Sequence, residues 1–177
     1  SRKIMQNFIQ IISESTESNI ENFNRVEEST RNELENLGST RLVLTLQKMQ
    51  WERSIFAIGM FSLFEAVVQK ELKIEKGSAF KELKQKLKSH HKIELLESFE
   101  DFYYAINVLK HGKGMSYTKL LEKRNGLPFE ITPAGSTFRN EGDVSEIETL
   151  VCVDNNFLEK CLAVICKCYD ELFIISL

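Results

Sequence analysis

The stretch IFAIGMFSLFEAVV, residues 55–68, is apolar nearly all the way round a helix and constrains the fold class more than any other part of the chain. Such a helix has no face to give to solvent, so it is expected at the centre of a bundle, surrounded by other helices. Upstream it continues into the amphipathic RLVLTLQKMQWERS, which predicts one helix over about 40–75 with Gly77 as its stop. A membrane span fits less well. The run from Ser54 to Val68 is about five residues short of a spanning helix and contains Glu65.

Ahead of it, Ile4, Phe8, Ile12, Ile20, Phe23, Val26, Leu34 and Leu37 fall at or near helical spacing, with Thr16 and Thr30 in missing turns. This predicts an extended first helix over 1–38, about 50 Å long. Gly38 is its expected C-cap, and Ser39 or Thr40 the next N-cap. Part of so long an arm is expected to meet solvent or another subunit. A length of 177 residues with 42% apolar and 28% charged residues fits a single domain, 1–177.

Past Gly77, Ser78 caps a short helix to about Ser89, and His90 and His91 mark a corner. A fourth helix over 92–111 turns Leu95, Leu96, Phe99, Phe102, Tyr103, Ile106 and Leu109 inward and leaves Glu97, Glu100, Asp101, Tyr104, Asn107 and His111 in line outside. Gly112 and Gly114 stop it, and Ser116 is the expected cap of a short helix, YTKLLEKR. LPFEIT and IETLVCV read as a two-stranded β-hairpin inserted at 126–153, with a long connection from Pro133 to Ser145. Asp154 or Asn155 caps a closing helix whose inner stripe is Phe157, Cys161, Ile165, Cys168 and Leu172. The expected class is mainly α: a helical bundle with a long N-terminal helical hairpin and a small β-hairpin before the C-terminal helix.

Cysteines 152, 161, 166 and 168 lack the paired spacing of a zinc site; Cys161 and Cys168 share a helix face with Leu158, Ile165 and Leu172 and read as small buried apolar groups of a reduced, cytoplasmic protein. Adjacent His90 and His91 diverge on a helix, so neither metal nor cofactor is expected. Charge is uneven. Residues 1–69 carry 7 Lys/Arg and 9 Asp/Glu, 70–92 carry 8 and 3, and 93–177 carry 8 and 14, giving −2, +5 and −6. The middle block is either a solvated lysine face or a positive surface for phosphates.

Several chemistries have no support. HGKGMS lacks P-loop spacing, no serine sits in a nucleophile elbow, and adjacent Glu100 and Asp101 diverge on a helix. Asn107 and His111 are one turn apart at a helix end. An imidazole there suits proton transfer with a ribose hydroxyl, and an amide orients it or donates to a phosphate oxygen. The plain alternative is a histidine opposing the negative end of the helix dipole.

The segment AINVLKHGKG, within this order of helices, resembles the HEPN superfamily of helical-bundle domains in prokaryotic defence, toxin and RNA-processing systems. The architectural likeness runs from about residue 39 to 177, and the motif covers 106–112. Asn107 stands at the family's polar position and His111 at its histidine, while Ile106 occupies the place of its arginine. The resemblance implies a metal-independent endoribonuclease of a phage-defence or toxin–antitoxin system, with His111 and Asn107 catalytic. It also implies a homodimer in which Tyr104, Asn107 and His111 line a shared groove. Lys110 and Lys113 are the candidates to replace the missing cation as supporting RNA contacts. RNA, a second copy and an antitoxin or defence partner are the implied partners, without a membrane. Ile106 and the acidic remainder of the chain favour a second reading, a non-catalytic partner- or nucleotide-binding module; a helical scaffold is a third.

Overall fold

The computed structural model describes residues 2–37, 40–133 and 150–175, and these form a bundle containing six α-helices. They are α1 (Arg2–Leu37), α2 (Thr40–Glu71), α3 (Ala79–Ser89), α4 (Ile93–His111), α5 (Met115–Glu122) and α6 (Asn155–Ile175), with a 3-10 turn at Arg124–Gly126. The expected caps Gly38 and Ser39 and the connection at 134–149 lie outside the described residues. None of the described helices is long and apolar enough to cross a membrane.

Helix α2 packs against α1, α3, α4 and α6. Its inner face carries Ala57, Phe61, Phe64 and Val68, all essentially inaccessible to water. Around Phe61 an aromatic cluster joins three helices: Phe61 stacks on Phe99 of α4 at 5.5 Å, and both meet Phe80 of α3 edge-on at 5.2 and 5.1 Å. A second cluster of Phe102, Phe129 and Phe157 ties α4 and α6 to the segment after α5.

The expectation that α2 is surrounded on every side is corrected. Leu44, Trp51, Ile55 and Leu63 stay exposed along one stripe, because the neighbouring helices all lie toward its opposite side. Nor does α2 run to about residue 75 and stop at Gly77. It ends at Glu71, where Lys73 takes a positive φ of 52° and the Ile74 amide donates to the Gln69 carbonyl at 3.0 Å, a Schellman-type closure without glycine.

Helix α1 seats Ile12, Thr16, Phe23 and Thr30 against the bundle. The two threonines fit an apolar stripe because each hydroxyl donates to the carbonyl four residues back, at 2.7 and 2.8 Å. A buried polar clamp fixes its middle. Arg53 of α2 donates to Glu27 at 2.7 Å and to Asn155 of α6 at 3.1 Å, and its guanidinium lies 5.0 Å from the centre of the Phe23 ring.

The predicted β-hairpin is not supported: among the described residues there is no strand, only an isolated antiparallel bridge between Ile131 and Val151. Its backbone bonds are Thr132 N–H to Leu150 and Cys152 N–H to Glu130, each 3.0 Å. Pro128 and Pro133, which lack N–H donors, confine the pairing on that side to a few residues. The side chains that suggested strands dock on the core instead, with Phe129, Ile131, Thr132, Leu150, Val151 and Val153 buried.

Two caps are as expected: the Ser78 hydroxyl accepts from Lys81 N–H at 3.4 Å, and the Asp154 carboxylate from Phe157 N–H at 2.7 Å. Ser116 is not a cap, since α5 starts at Met115 with Gly114 in the capping position. Gly112 ends α4 with φ 72° and ψ −143°, a region that essentially only glycine occupies. A β-carbon there would meet nothing within 4 Å, so the cost of Gly112→Ala is backbone strain alone. Urea unfolding is expected to show a loss of about 1–3 kcal/mol; an unchanged midpoint would contradict this role.

Candidate functional site

Helix α4 is held by its inner face. Phe99, Phe102, Ala105 and Ile106 are buried, and this fixes which residues turn outward. Tyr104 and Asn107 are half-buried, whereas Lys110, His111 and, past the helix, Lys113 are exposed. Tyr104, Asn107 and His111 follow one another at intervals of three and four residues, so they share a face. Lys110 follows Asn107 by three and flanks the same row, while Lys113 sits in the turn toward α5.

Ile106 is 4% exposed and belongs to the core. The position where the resemblance would put arginine therefore points away from the Asn107 and His111 face. A cation at that face has to come from elsewhere.

Helix α5, packed along α4, brings two. The Lys119 ammonium donates to the Tyr104 hydroxyl at 2.9 Å and lies 4.7 Å from the centre of its ring. Hydrogen bonding to Tyr104, and then the charge interaction with it, push the Lys119 pKa up, keeping the ammonium charged. Lys123 is bound to Asp101 instead. Asp101 was expected on the outer face with Glu97 and Glu100; it is 8% exposed, because α5 covers it. Burial raises the Asp101 pKa, and Lys123 only partly offsets that.

On the other flank, the Lys84 ammonium of α3 lies 4.9 Å from the Tyr103 ring centre and 3.5 Å from Glu100. Tyr103 and Tyr104 pack edge-to-face at 5.6 Å, so a row of cation, two aromatic rings and cation crosses α4 from α3 to α5. Lys84, Tyr103 and Lys119 were not among the sequence candidates. The signal available for Lys119 was its four-residue spacing from Lys123, which says nothing about Tyr104, fifteen positions earlier.

Electrostatics divide this surface. Glu97 and Glu100 disfavour an anion near the start of the row, whereas Lys110, Lys113 and Lys119 favour one at the Tyr104 to His111 end. The Lys110 and His111 side chains also oppose the negative end of the α4 dipole. Two open grooves lie elsewhere. One, of about 630 Å³, separates the start of α4 from α6 and includes the Lys92 to Glu171 ion pair at 2.7 Å. The other, of about 720 Å³, follows the Pro128–Thr132 segment. Neither is lined by Tyr104, Asn107 or His111, so their face belongs to neither groove.

Fold and surface together define a class: an α-helical bundle with a cationic and aromatic patch beside an exposed helix-terminal histidine. Comparison with protein-family profiles, curated proteins and solved structures finds no match to this chain.

Proposed function

We propose that the chain is a HEPN-like domain that acts on RNA through the Tyr104 to His111 face of α4. The observation that carries the reading is the convergence on one surface of the Tyr104 ring, the Lys119 ammonium, the Asn107 amide and the exposed His111 imidazole. Aromatic rings accept unstacked bases, and lysines beside them meet the phosphates between those bases. In the nuclease form of the proposal, His111 takes the proton of a ribose 2′-hydroxyl, whose oxygen attacks the adjacent phosphorus. The 5′ oxygen leaves with a proton from water, producing a 2′,3′-cyclic phosphate and a 5′-hydroxyl end. Lys119, with Lys110 and Lys113 nearby, stands in for the arginine that Ile106 replaces. The setting is a cytoplasmic phage-defence or toxin–antitoxin system, in which the chain works as a homodimer with an antitoxin or defence partner.

The burial of Ile106 favours a second reading, in which the same face binds RNA or a nucleotide without cutting it. One experiment separates the two. Single-stranded RNA is incubated with the protein in chelator, and binding and cleavage are measured for the wild type, His111→Ala and Lys119→Glu. The nuclease form expects cleavage that falls at least about 100-fold in His111→Ala with binding retained, and weaker binding in Lys119→Glu. Binding without products selects the second reading. RNA that is neither bound nor cut by the wild type overturns the nuclease form and the RNA-binding form of the second reading alike, and a nucleotide that the wild type also fails to bind overturns the rest.

A further inference from the structure

We propose that the uncovered face of α2 is an interface between two copies of this chain, packed antiparallel about a two-fold axis that passes between Ile55 and Gly59. The inference does not rest on the RNA reading: it uses none of Tyr104, Asn107, Lys119 or His111, and it places the two-fold contact on α2 instead of at the shared groove that the family resemblance implies.

Leu44, Trp51, Ile55 and Leu63 expose 50%, 44%, 63% and 61% of their surface on α2. Gly59, Ser62 and Ala66 are exposed on the same side. Positions 44, 51, 55, 59, 62 and 66 succeed one another by three, four or seven, so they form a row along the helix, with Leu63 at its edge. Scattered apolar residues on a surface require no explanation; four large ones on one face of one helix do.

Area and shape name a second copy as the occupant. From Leu44 to Ala66 the row is about 33 Å long. With Lys48 it offers on the order of 700 Å², close to the roughly 800 Å² each partner gives to a stable interface of standard size. The row is also graded. Its first half carries the bulky Leu44, Trp51 and Ile55, and its second half the small Gly59, Ser62 and Ala66, with Leu63 the one large side chain, at the edge of that half.

A two-fold axis sets the bulky half of each copy against the small half of the other, so one patch is complementary to itself. With Ile55 of one copy over Gly59 of the other, Trp51 falls beside Ser62 and Leu63, and Lys48 beside Ala66, next to Glu65 of opposite charge. The space over Gly59 is open: a β-carbon built there meets nothing within 4 Å.

Trp51 is the only tryptophan in the chain, so the protein carries its own reporter. Sedimentation equilibrium and Trp51 emission are followed together as the full chain is concentrated. The expected result is a species of twice the 20.5 kDa chain mass, forming in step with a blue shift of the emission. Gly59→Arg fills the space beside the axis while removing an unfavourable glycine from an exposed helix position, so the fold is retained. It is expected to weaken dimerisation about 100-fold and to abolish the shift, as is Ile55→Arg. Circular dichroism of both variants should match the wild type.

A chain that stays monomeric at every concentration overturns the proposal. So does a dimer that both variants leave intact, which would locate the contact elsewhere. Trp51 emission that shifts only when phosphatidylserine vesicles are added would assign the face to a lipid surface instead. Loss of RNA cleavage or binding bears on none of these readouts.

Discussion

Phe99→Ala is expected to remove about 4 kcal/mol of folding free energy, which is a large part of the stability of a domain this size. Phe99 is fully buried and is where α2, α3 and α4 meet, through Phe61 at 5.5 Å, Phe80 at 5.1 Å and Tyr103 at 6.1 Å. Truncation leaves a cavity lined by rings that are themselves held by other contacts, so little collapse is available to fill it. The denaturation midpoint is expected to fall by roughly 8–15 °C. Phe99→Leu, which retains most of the volume, should cost less than half as much. The two together test packing: equal losses would point to something other than the cavity, and a loss under about 1 kcal/mol for alanine would show that the cluster is not where the bundle is held. Because Tyr103 packs on Phe99, the variant should also loosen the row of rings that leads to Lys119.

Arg53→Ala is expected to cost about 3 kcal/mol at neutral pH. Arg53 is 6% exposed and anchors α1 and α6 to α2 through Glu27 and Asn155. Removing it leaves the Glu27 carboxylate, 22% exposed, without its closer cation and leaves the Asn155 carbonyl oxygen short of a donor. Combining it with Glu27→Gln should recover part of the loss, since the stranded charge is then gone. A double variant as unstable as the single one would argue that Arg53 acts only through its stem on Phe23.

This clamp also gives a pH dependence with a definite sign. Burial alone would raise the Glu27 pKa, but hydrogen bonds and charge interactions with Arg53 and Arg31 outweigh it and leave it below the ordinary carboxylate range. A lowered native pKa means that the unfolded chain takes up the proton first as pH falls. The stabilisation is therefore complete above the unfolded-state value and is lost as pH falls through the native one. Arg53→Ala should flatten that acid-side loss, which urea titrations between about pH 3 and 7 would show. Asp101 has the opposite sign: burial raises its pKa, so its ionisation weakens the fold as pH rises through that raised value.

The helices were legible because their cause is local and repeats. Apolar residues at three and four, with Ser78 and Asp154 at two starts and Gly112 at one stop, define most of their extents within the chain itself. The inner stripe of α6 followed from the same period, and Cys161 and Cys168 are fully buried there, with thiol pKa values pushed up by burial. Period failed where two causes produce one pattern. A short apolar run such as LPFEIT is the mark of a strand and also of an extended segment docking its side chains on the core, and prolines at 128 and 133 limit the pairing a strand would need. The end of α2 was misplaced because Lys73 closes the helix in a conformation usually left to glycine.

Of the candidate site, the residues on one helix could be read and those from its neighbours could not. Tyr104, Asn107, Lys110 and His111 share α4, so their grouping follows from spacing. That Ile106 turns into the core follows too, from its place among Phe99, Phe102 and Leu109. The arrival of Lys119 at the Tyr104 ring, and the covering of Asp101 by α5, depend on how the glycine turn at 112–114 swings one helix onto the other.

The chain by itself thus determined a mainly helical bundle and a polar row on α4, because hydrophobic period and capping are properties of neighbouring residues. Tertiary structure alone decided which side of α2 stays open and which lysines reach the tyrosines, because both depend on the angles at which separately specified helices meet.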